Sequence, residues 1–318
     1  MRSSTLSRRT FLAASSAAAA SLALPSSRVS ADGFKTKLHK AWMVGKIAEP
    51  QMAKLKEAGF EGVETTNVCT EEEATKQRAI AEKLGMRVHS VLRGWMKFNS
   101  PDAKIVEKSL EDVRMSLRAA KGYGSDAILL VPCRIEAKGM PAIADINIEF
   151  DETNGHVKKM VKGDNAPHAD YIKEHNIAID TSRAAVEKLI PLAEELKVVI
   201  GLENVWNNLW VKPEIYTHFV TSFKSPWVKA YFDIGNHVKY APPQDWIKSL
   251  GGLLIKLHMK DFDLGKKSFV QLRDGSVDWK AVRSALDEAG YNGWGTIEGG
   301  NLALDEMNKR FDLICDGK

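Results

Sequence analysis

The chain has little of what holds small secreted folds together or anchors a protein in a bilayer. Its three cysteines, Cys69, Cys133 and Cys315, lie far apart and form no Cys-x-x-Cys pair. That excludes an even disulfide framework and predicts free, partly buried thiols. No acidic residue occurs before Asp32, and the apolar stretch from Phe11 to Leu24 is too short and too serine-rich to span a membrane. No cysteine follows it for lipid attachment. Stable membrane insertion is therefore not expected. Beyond this start the chain has no low-complexity tract and no short internal repeat, which excludes a repeat architecture.

The first 31 residues instead have the form of an export leader. Ser7-Arg8-Arg9-Thr10-Phe11-Leu12 is a twin-arginine pattern, an alanine-rich apolar stretch follows, and Val29-Ser30-Ala31 has the small residues of a cleavage site. The twin-arginine export machinery is then a partner, and a periplasmic or otherwise exported location is expected. That route carries folded proteins, so a metal can be loaded before export. Four of the 45 basic residues, Arg2, Arg8, Arg9 and Arg28, belong to the leader. The mature chain thus balances 41 basic against 41 acidic residues and gives no electrostatic argument for nucleic acid.

Residues 32–318 are enough for one large core, and eight strand-then-helix units can be read in them. The strands are expected at Leu38 to Met43, Phe60 to Glu64, Arg87 to Leu92, Asp126 to Pro132, Val198 to Glu203, Val228 to Ile234, Leu253 to Met259 and Trp294 to Glu298. Helices ended by Gly59, Gly85, Gly124 and Gly290 separate several of them. The expected fold class is α/β, a single-domain (β/α)8 TIM barrel. After the fourth strand the rhythm breaks. Glu136 to Asn176 is polar, carries Gly139, Gly155 and Gly163, and is too long for an ordinary connection. It is expected to be an insertion or a lid over the barrel mouth, with the next helix beginning near Ile179.

Four residues end four successive strands: Glu203 in Val-Val-Ile-Gly-Leu-Glu-Asn, Asp233 in Ala-Tyr-Phe-Asp-Ile-Gly-Asn, His258 in Ile-Lys-Leu-His-Met-Lys-Asp, and Glu298 in Gly-Thr-Ile-Glu-Gly-Gly. In a barrel all strand C-termini open on one mouth, where active sites are built. Three carboxylates and an imidazole there suit one divalent metal ion, Mn²⁺ first, with Zn²⁺, Co²⁺ or Mg²⁺ as alternatives. No thiol joins them, which argues against a structural zinc site. Without a cation the carboxylates would repel one another.

These motifs resemble the xylose isomerase-like barrel superfamily in its sugar phosphate isomerase/epimerase branch, of the L-ribulose-5-phosphate or L-xylulose-5-phosphate 3-epimerase type. The resemblance rests on Glu203-Asn204, Asp233-Ile234-Gly235-Asn236, His258-Met259-Lys260-Asp261 and Glu298, and covers the mature chain in outline. It implies a sugar or keto-sugar substrate, metal ligands Glu203, Asp233, His258 and Glu298, and an acid/base pair, Glu203 and Glu298. The implied reaction is epimerisation or isomerisation by α-proton abstraction through a metal-stabilised enediolate. A lyase or dehydratase acting on a keto-sugar or keto-inositol needs the same site. An exported sugar-binding protein without catalysis is the non-enzymatic alternative. A base-excision endonuclease of the superfamily would need more histidine ligands than this pattern offers.

Several further residues are candidates for substrate binding. Trp42, Trp95 and Trp206 follow or end strands and can stack on a sugar's C–H face. Glu64 and His89 can bind hydroxyls, His89 having a buried structural role as its alternative. Lys260 can offset negative charge or pair with Asp261. Where the family often has Gly-Glu-Gly, this chain has Arg273-Asp274-Gly275, so a substrate contact at Arg273 can differ. His237 is expected behind the ligands rather than among them. The exported location favours an unphosphorylated or oxidised sugar. Homo-oligomer formation stays open.

Overall fold

Ala127–Val131 is buried at every position, as a strand covered on both faces must be. It is one of eight parallel strands that close into a barrel in a computed structural model describing residues 33–318. The export leader expected at residues 1–31 lies outside the described residues. The barrel strands are β1 (Leu38–Val44), β2 (Gly62–Thr65), β3 (Arg87–Trp95), β4 (Ala127–Val131), β7 (Val199–Glu203), β8 (Val228–Asp233), β9 (Leu254–Met259) and β12 (Gly293–Ile297). Around the barrel they run β1-β12-β9-β8-β7-β4-β3-β2, so each is parallel to its neighbour and the sheet has no edge. This is the expected (β/α)8 architecture.

The helices α1 (Glu49–Glu57), α2 (Glu71–Lys83), α3 (Ala103–Tyr123), α4 (Ala169–Glu187), α5 (Ile190–Leu196), α6 (Pro213–Ser222), α7 (Pro243–Leu250), α8 (Trp279–Glu288) and α9 (Leu304–Cys315) form the outer layer. Local chemistry sets several of their ends. Thr70 Oγ1 accepts from Glu73 N ahead of three glutamates that favour the positive end of α2. Asp102 and Asp278 cap α3 and α8 in the same way. Gly124 ends α3 at φ 70°, a left-handed conformation that a side chain would oppose. The main core lies between strands and helices, with Phe60, Phe219, Phe232, Trp246 and Phe311 fully buried. A smaller apolar group, Leu129, Val131, Val205 and Tyr231 with Leu92 beside it, fills the barrel interior. No helix among the described residues is long and apolar enough to cross a membrane.

Two segments depart from the sequence expectation. The insertion is shorter than 136–176, because α4 begins at Ala169, ten residues before Ile179. Its first turns bury Tyr171 and His175, so polar atoms sit on the inner face and mask the apolar period. The helical run to Leu196 is also broken at Lys188–Leu189, ahead of Pro191. Within the insertion a hairpin pairs β5 (Glu149–Phe150) with β6 (Val157–Lys159). Its turn lies against the outer helices: His218 Nε2 of α6 bonds Glu152 O, and Arg183 Nη2 of α4 donates to Asn154 O. The tip therefore covers the helical shell, where a lid over the mouth was the alternative. The second departure is a hairpin after β9, joining β10 (Asp261–Asp263) to β11 (Ser268–Val270).

Candidate metal and substrate site

Closure of the sheet brings the four strand-end residues together. β12, β9, β8 and β7 are successive neighbours, and the register pairs Asp233 with His258 and Thr296 with His258. One ligand atom from each of Glu203, Asp233, His258 and Glu298 lies within 4.8 Å of all the others, a group that could hold a metal ion. From His258 Nδ1 the distances are 3.0 Å to Glu203 Oε1, 3.4 Å to Glu298 Oε2 and 3.8 Å to Asp233 Oδ2. Asp233 Oδ2 is buried with no hydrogen-bond partner. A buried carboxylate oxygen left bare is costly unless something positive meets it. That orphan oxygen and the hard, thiol-free donor set both fit a divalent cation.

The surrounding charges carry the same demand. Burial pushes Asp233 well above the usual carboxylate range, and Lys260 only partly opposes it. Burial also raises Glu203 against the pull of His258. Burial opposes charge on His258, yet Glu64, Glu203 and Glu298 hold its imidazolium form well above the ordinary histidine range. Glu298 is desolvated too, but the hydrogen bond and charge of His258, with Lys260, keep its carboxyl well below the usual range.

Supporting groups fix His258 and Asp233. Glu64 Oε2 lies 2.7 Å from His258 Nε2, and Ser90 Oγ donates to Glu64 Oε1. A ligand imidazole whose second nitrogen meets a carboxylate is held in one orientation and tautomer. Tyr231 packs edge-on against the same ring at 4.9 Å. The asparagines of the two motifs act on Asp233. Asn204 Oδ1 accepts from Asp233 N at 2.6 Å and its Nδ2 donates to Asp233 O, while Asn236 N donates to Asp233 Oδ1 at 2.7 Å. Gly235 passes so close to β9 that a Cβ there would lie 2.8 Å from the Lys260 carbonyl carbon and oxygen.

The remaining candidates are distributed differently. Glu64, expected to bind a sugar hydroxyl, is fully buried and engaged with His258. His89 is buried in the barrel interior, stacked on Trp294 at 4.8 Å and bonded to Thr296, with no exposed surface. Burial drives its imidazole well below the ordinary range. That is the structural alternative stated for it. Trp42 pairs in register with Val63 and Ile297, which face the helices, and it packs edge-on against Phe60. It points away from the barrel interior. Trp206 is near the site, but its ring already carries Lys239 Nζ at 3.8 Å and stacks on Phe269 at 5.0 Å. Trp95 stands at the rim, 46% exposed, with the Arg134 guanidinium over it.

Lys260 turns inward: its Nζ donates to Glu298 Oε2 at 2.9 Å and lies 3.9 Å from Asp233 Oδ2. It does not pair with Asp261. The Asp261 carboxylate instead accepts N–H bonds from Phe262, Arg273, Gly275, Val277 and Trp279, and so organises the loop before α8. Arg273 lies in that loop at φ 75°, a conformation glycine adopts freely, which accounts for the glycine the family often has there. His237 bonds Val205 O and packs between Tyr240 and Trp246, outside the four-residue group. Phe269 left no mark in the sequence pattern, because the three-residue strands of its hairpin are too short to show alternation.

Comparison with known proteins agrees with this architecture. Residues 52–309 match the family model of the xylose isomerase-like TIM barrel. A crystal structure of 3-keto-D-glucoside 4-epimerase from E. coli superposes with a TM-score of 0.64 at 13% identity, covering 87% of this chain and 99% of that one. A D-tagatose 3-epimerase-like protein gives a TM-score of 0.65 at 17% identity, over 86% of this chain and 97% of its own. An uncharacterised protein of Methanocaldococcus jannaschii is 25% identical over 140 residues, 42% of this chain. The chain spans about half the length of that curated relative, 47% of it. At these identities the structural likenesses establish the shared barrel.

Proposed function

We propose that this chain, which belongs to the xylose isomerase-like TIM barrel family, is a metal-dependent epimerase or isomerase of a sugar or keto-sugar. The observation that carries the reading is the convergence of two glutamates, Glu203 and Glu298, on the same small volume as His258 and Asp233. The names of the superposed structures, both sugar epimerases or like them, support the same class.

Glu203, Asp233, His258 and Glu298 would hold the metal, with Mn²⁺ the first candidate. A divalent cation held there supplies positive charge for the oxygen that becomes anionic when a proton leaves the carbon beside a carbonyl. The chain's own residues do the rest. Glu203 and Glu298 come from strands separated by β8 and β9, so they flank the site from two sides. One carboxylate takes the proton next to the carbonyl, and the other returns a proton to the opposite face of the enediolate, inverting that centre. Lys260 donates to Glu298 and keeps it oriented. The same proposal has the enzyme exported by the twin-arginine machinery, on the sequence signals in residues 1–31.

The test is proton exchange. Candidate ketoses, phosphorylated and not, are incubated in D₂O with the Mn²⁺-loaded protein and followed by NMR. Deuterium should appear next to the carbonyl, with an epimer or isomer as product. A positioned acid or base contributes roughly 10² to 10⁴ in rate, so Glu298→Gln should lose most turnover by such a factor. An eliminated product would make the enzyme a lyase. No exchange with any ketose or oxidised sugar, at full metal loading, would refute catalysis and leave a sugar-binding protein.

A further inference from the structure

A cavity of about 620 Å³ opens around Trp95 at the end of β3, walled on its outer side by Ile105 of α3 and Glu174 and Ile177 of α4, and none of the quartet lines it. Trp95, Asn99 and Arg134 form one part of its wall, and Glu136, Glu174 and Ile177 another. Its volume is within the roughly 300–1,000 Å³ usual for small-molecule sites.

Strand register fixes how far the Trp95 backbone, on the inner wall of this cavity, lies from Glu203. Trp95 pairs with Val131 across β3 and β4. Val131 follows the Leu130–Leu202 pair, which brings it level with Glu203 on β7. Trp95, Val131 and Glu203 therefore occupy one level on three adjacent strands. Neighbouring strands lie about 4.8 Å apart, so the Trp95 and Glu203 backbones are about 10 Å apart. That is a short step from a sugar ring held at the quartet to a second ring beside it.

The lining has the chemistry of carbohydrate recognition. Trp95 is 46% exposed, with Arg134 over one face of its ring and the other face to offer, and Ile177, 45% exposed, continues the apolar surface. Two cations, Lys97 and Arg134, and two carboxylates, Glu136 and Glu174, share the same cavity, with the Arg134 guanidinium 4.4 Å from the Trp95 ring centre. Planar charged groups of this kind form paired hydrogen bonds to neighbouring hydroxyls, while an aromatic face covers the C–H side of the ring.

We propose that this cavity is a second sugar subsite, and that the substrate class is a glycoside or disaccharide whose keto-sugar unit sits at the quartet and whose other unit rests on Trp95. The inference deepens the epimerase reading and rests on it for the position of the reacting unit. Trp95 and Arg134 are specificity residues, distant from the proton transfer itself.

The probes are D-fructose and a panel of glucosyl-fructoses (turanose, maltulose and isomaltulose), with the Mn²⁺-loaded mature protein. For at least one disaccharide, kcat/KM of deuterium exchange should exceed that of D-fructose tenfold or more. Trp95→Ala should lower that disaccharide-to-monosaccharide ratio at least fivefold, chiefly through KM, and Trp95→Phe should restore most of it. Arg134→Gln should lower it in the same direction. A ratio unmoved by Trp95→Ala overturns the subsite. A second readout needs no turnover: saturation-transfer difference NMR on Mg²⁺-loaded protein should mark the glucosyl ring of a bound disaccharide, and Trp95→Ala should erase that mark. Absence of exchange with every probe refutes the epimerase reading, and saturation transfer to the glucosyl ring then decides the subsite alone. No such transfer in the parent protein overturns it.

Discussion

Replacing Glu64 by glutamine tests whether His258 is a ligand held from behind. Glu64 Oε2 meets His258 Nε2 at 2.7 Å, and both side chains are fully buried. The substitution conserves shape, and the introduced amide can still accept the Nε2–H and face Ser90. It removes the charge. A charge-assisted hydrogen bond contributes roughly 1.5–3 kcal/mol against about 0.5–1.5 kcal/mol for a neutral one, so the expected loss is about 1–1.5 kcal/mol. That corresponds to roughly a tenfold weaker Mn²⁺ affinity, at the lower edge of the ~10–100-fold effect usual for such outer partners. Glu64→Ala leaves the imidazole nitrogen and Ser90 unpaired and should approach ~100-fold. Affinity is measured by competition with a chelator, with circular dichroism confirming the fold. Glu61→Gln, a half-exposed residue paired with Lys37 and His39, is the control and should bind Mn²⁺ like the parent. Affinity within twofold of the parent in Glu64→Gln would refute the orienting role. A parent protein that binds no Mn²⁺ would refute the quartet as a metal site.

Three other outcomes are expected. Gly235→Ala should force β8 and β9 apart at the Lys260 backbone and lower metal affinity and melting temperature together; a variant with both unchanged would show that the close approach is not required. The stability that His175 and His237 contribute should fall on acidification, because burial depresses His175 to about 4 and His237 to about 3 from an ordinary 6.5. The unfolded chain binds these protons first, so stability is full above pH 6.5 and is lost as pH falls toward 4, by roughly 3 kcal/mol for His175 alone on the 1.36 kcal/mol-per-unit scale. Urea midpoints at pH 7 and pH 5 for the parent and for His175→Gln check this, and a parent that loses no more between them than the variant would contradict the sign. Finally, Arg8→Lys combined with Arg9→Lys should retain the protein in the cytoplasm, as fractionation would show; normal export of that variant would mean the motif is not used.

The eight barrel strands were legible because each is a short apolar run with punctuation on both sides, and Val228–Asp233 and Leu254–Met259 begin and end within a residue of the expected limits. The quartet at the strand ends was legible for the same reason: a polar residue closing a buried run stands out. The start of α4 was hidden because its buried face includes Tyr171 and His175, whose hydrogen-bond partners, Asn208 O and Leu209 O, lie more than thirty residues away in the chain. The direction of Trp42 was hidden as well. A strand's two faces look alike in sequence when both are covered, and only the pairing with Val63 and Ile297 decided that Trp42 faces the helices.

The sequence by itself determined the alternation of strands and helices and the quartet at the strand ends, because these depend on local period and on neighbours a few residues away. Tertiary structure alone decided that Glu64 serves His258 across 194 residues, that Lys260 turns to Glu298 and not to Asp261, and that Trp95, rather than Trp42 or Trp206, presents an exposed face at the rim. Those contacts cross the barrel or its mouth. They exist only once the sheet has closed on itself, and closure sets distances that no local pattern records.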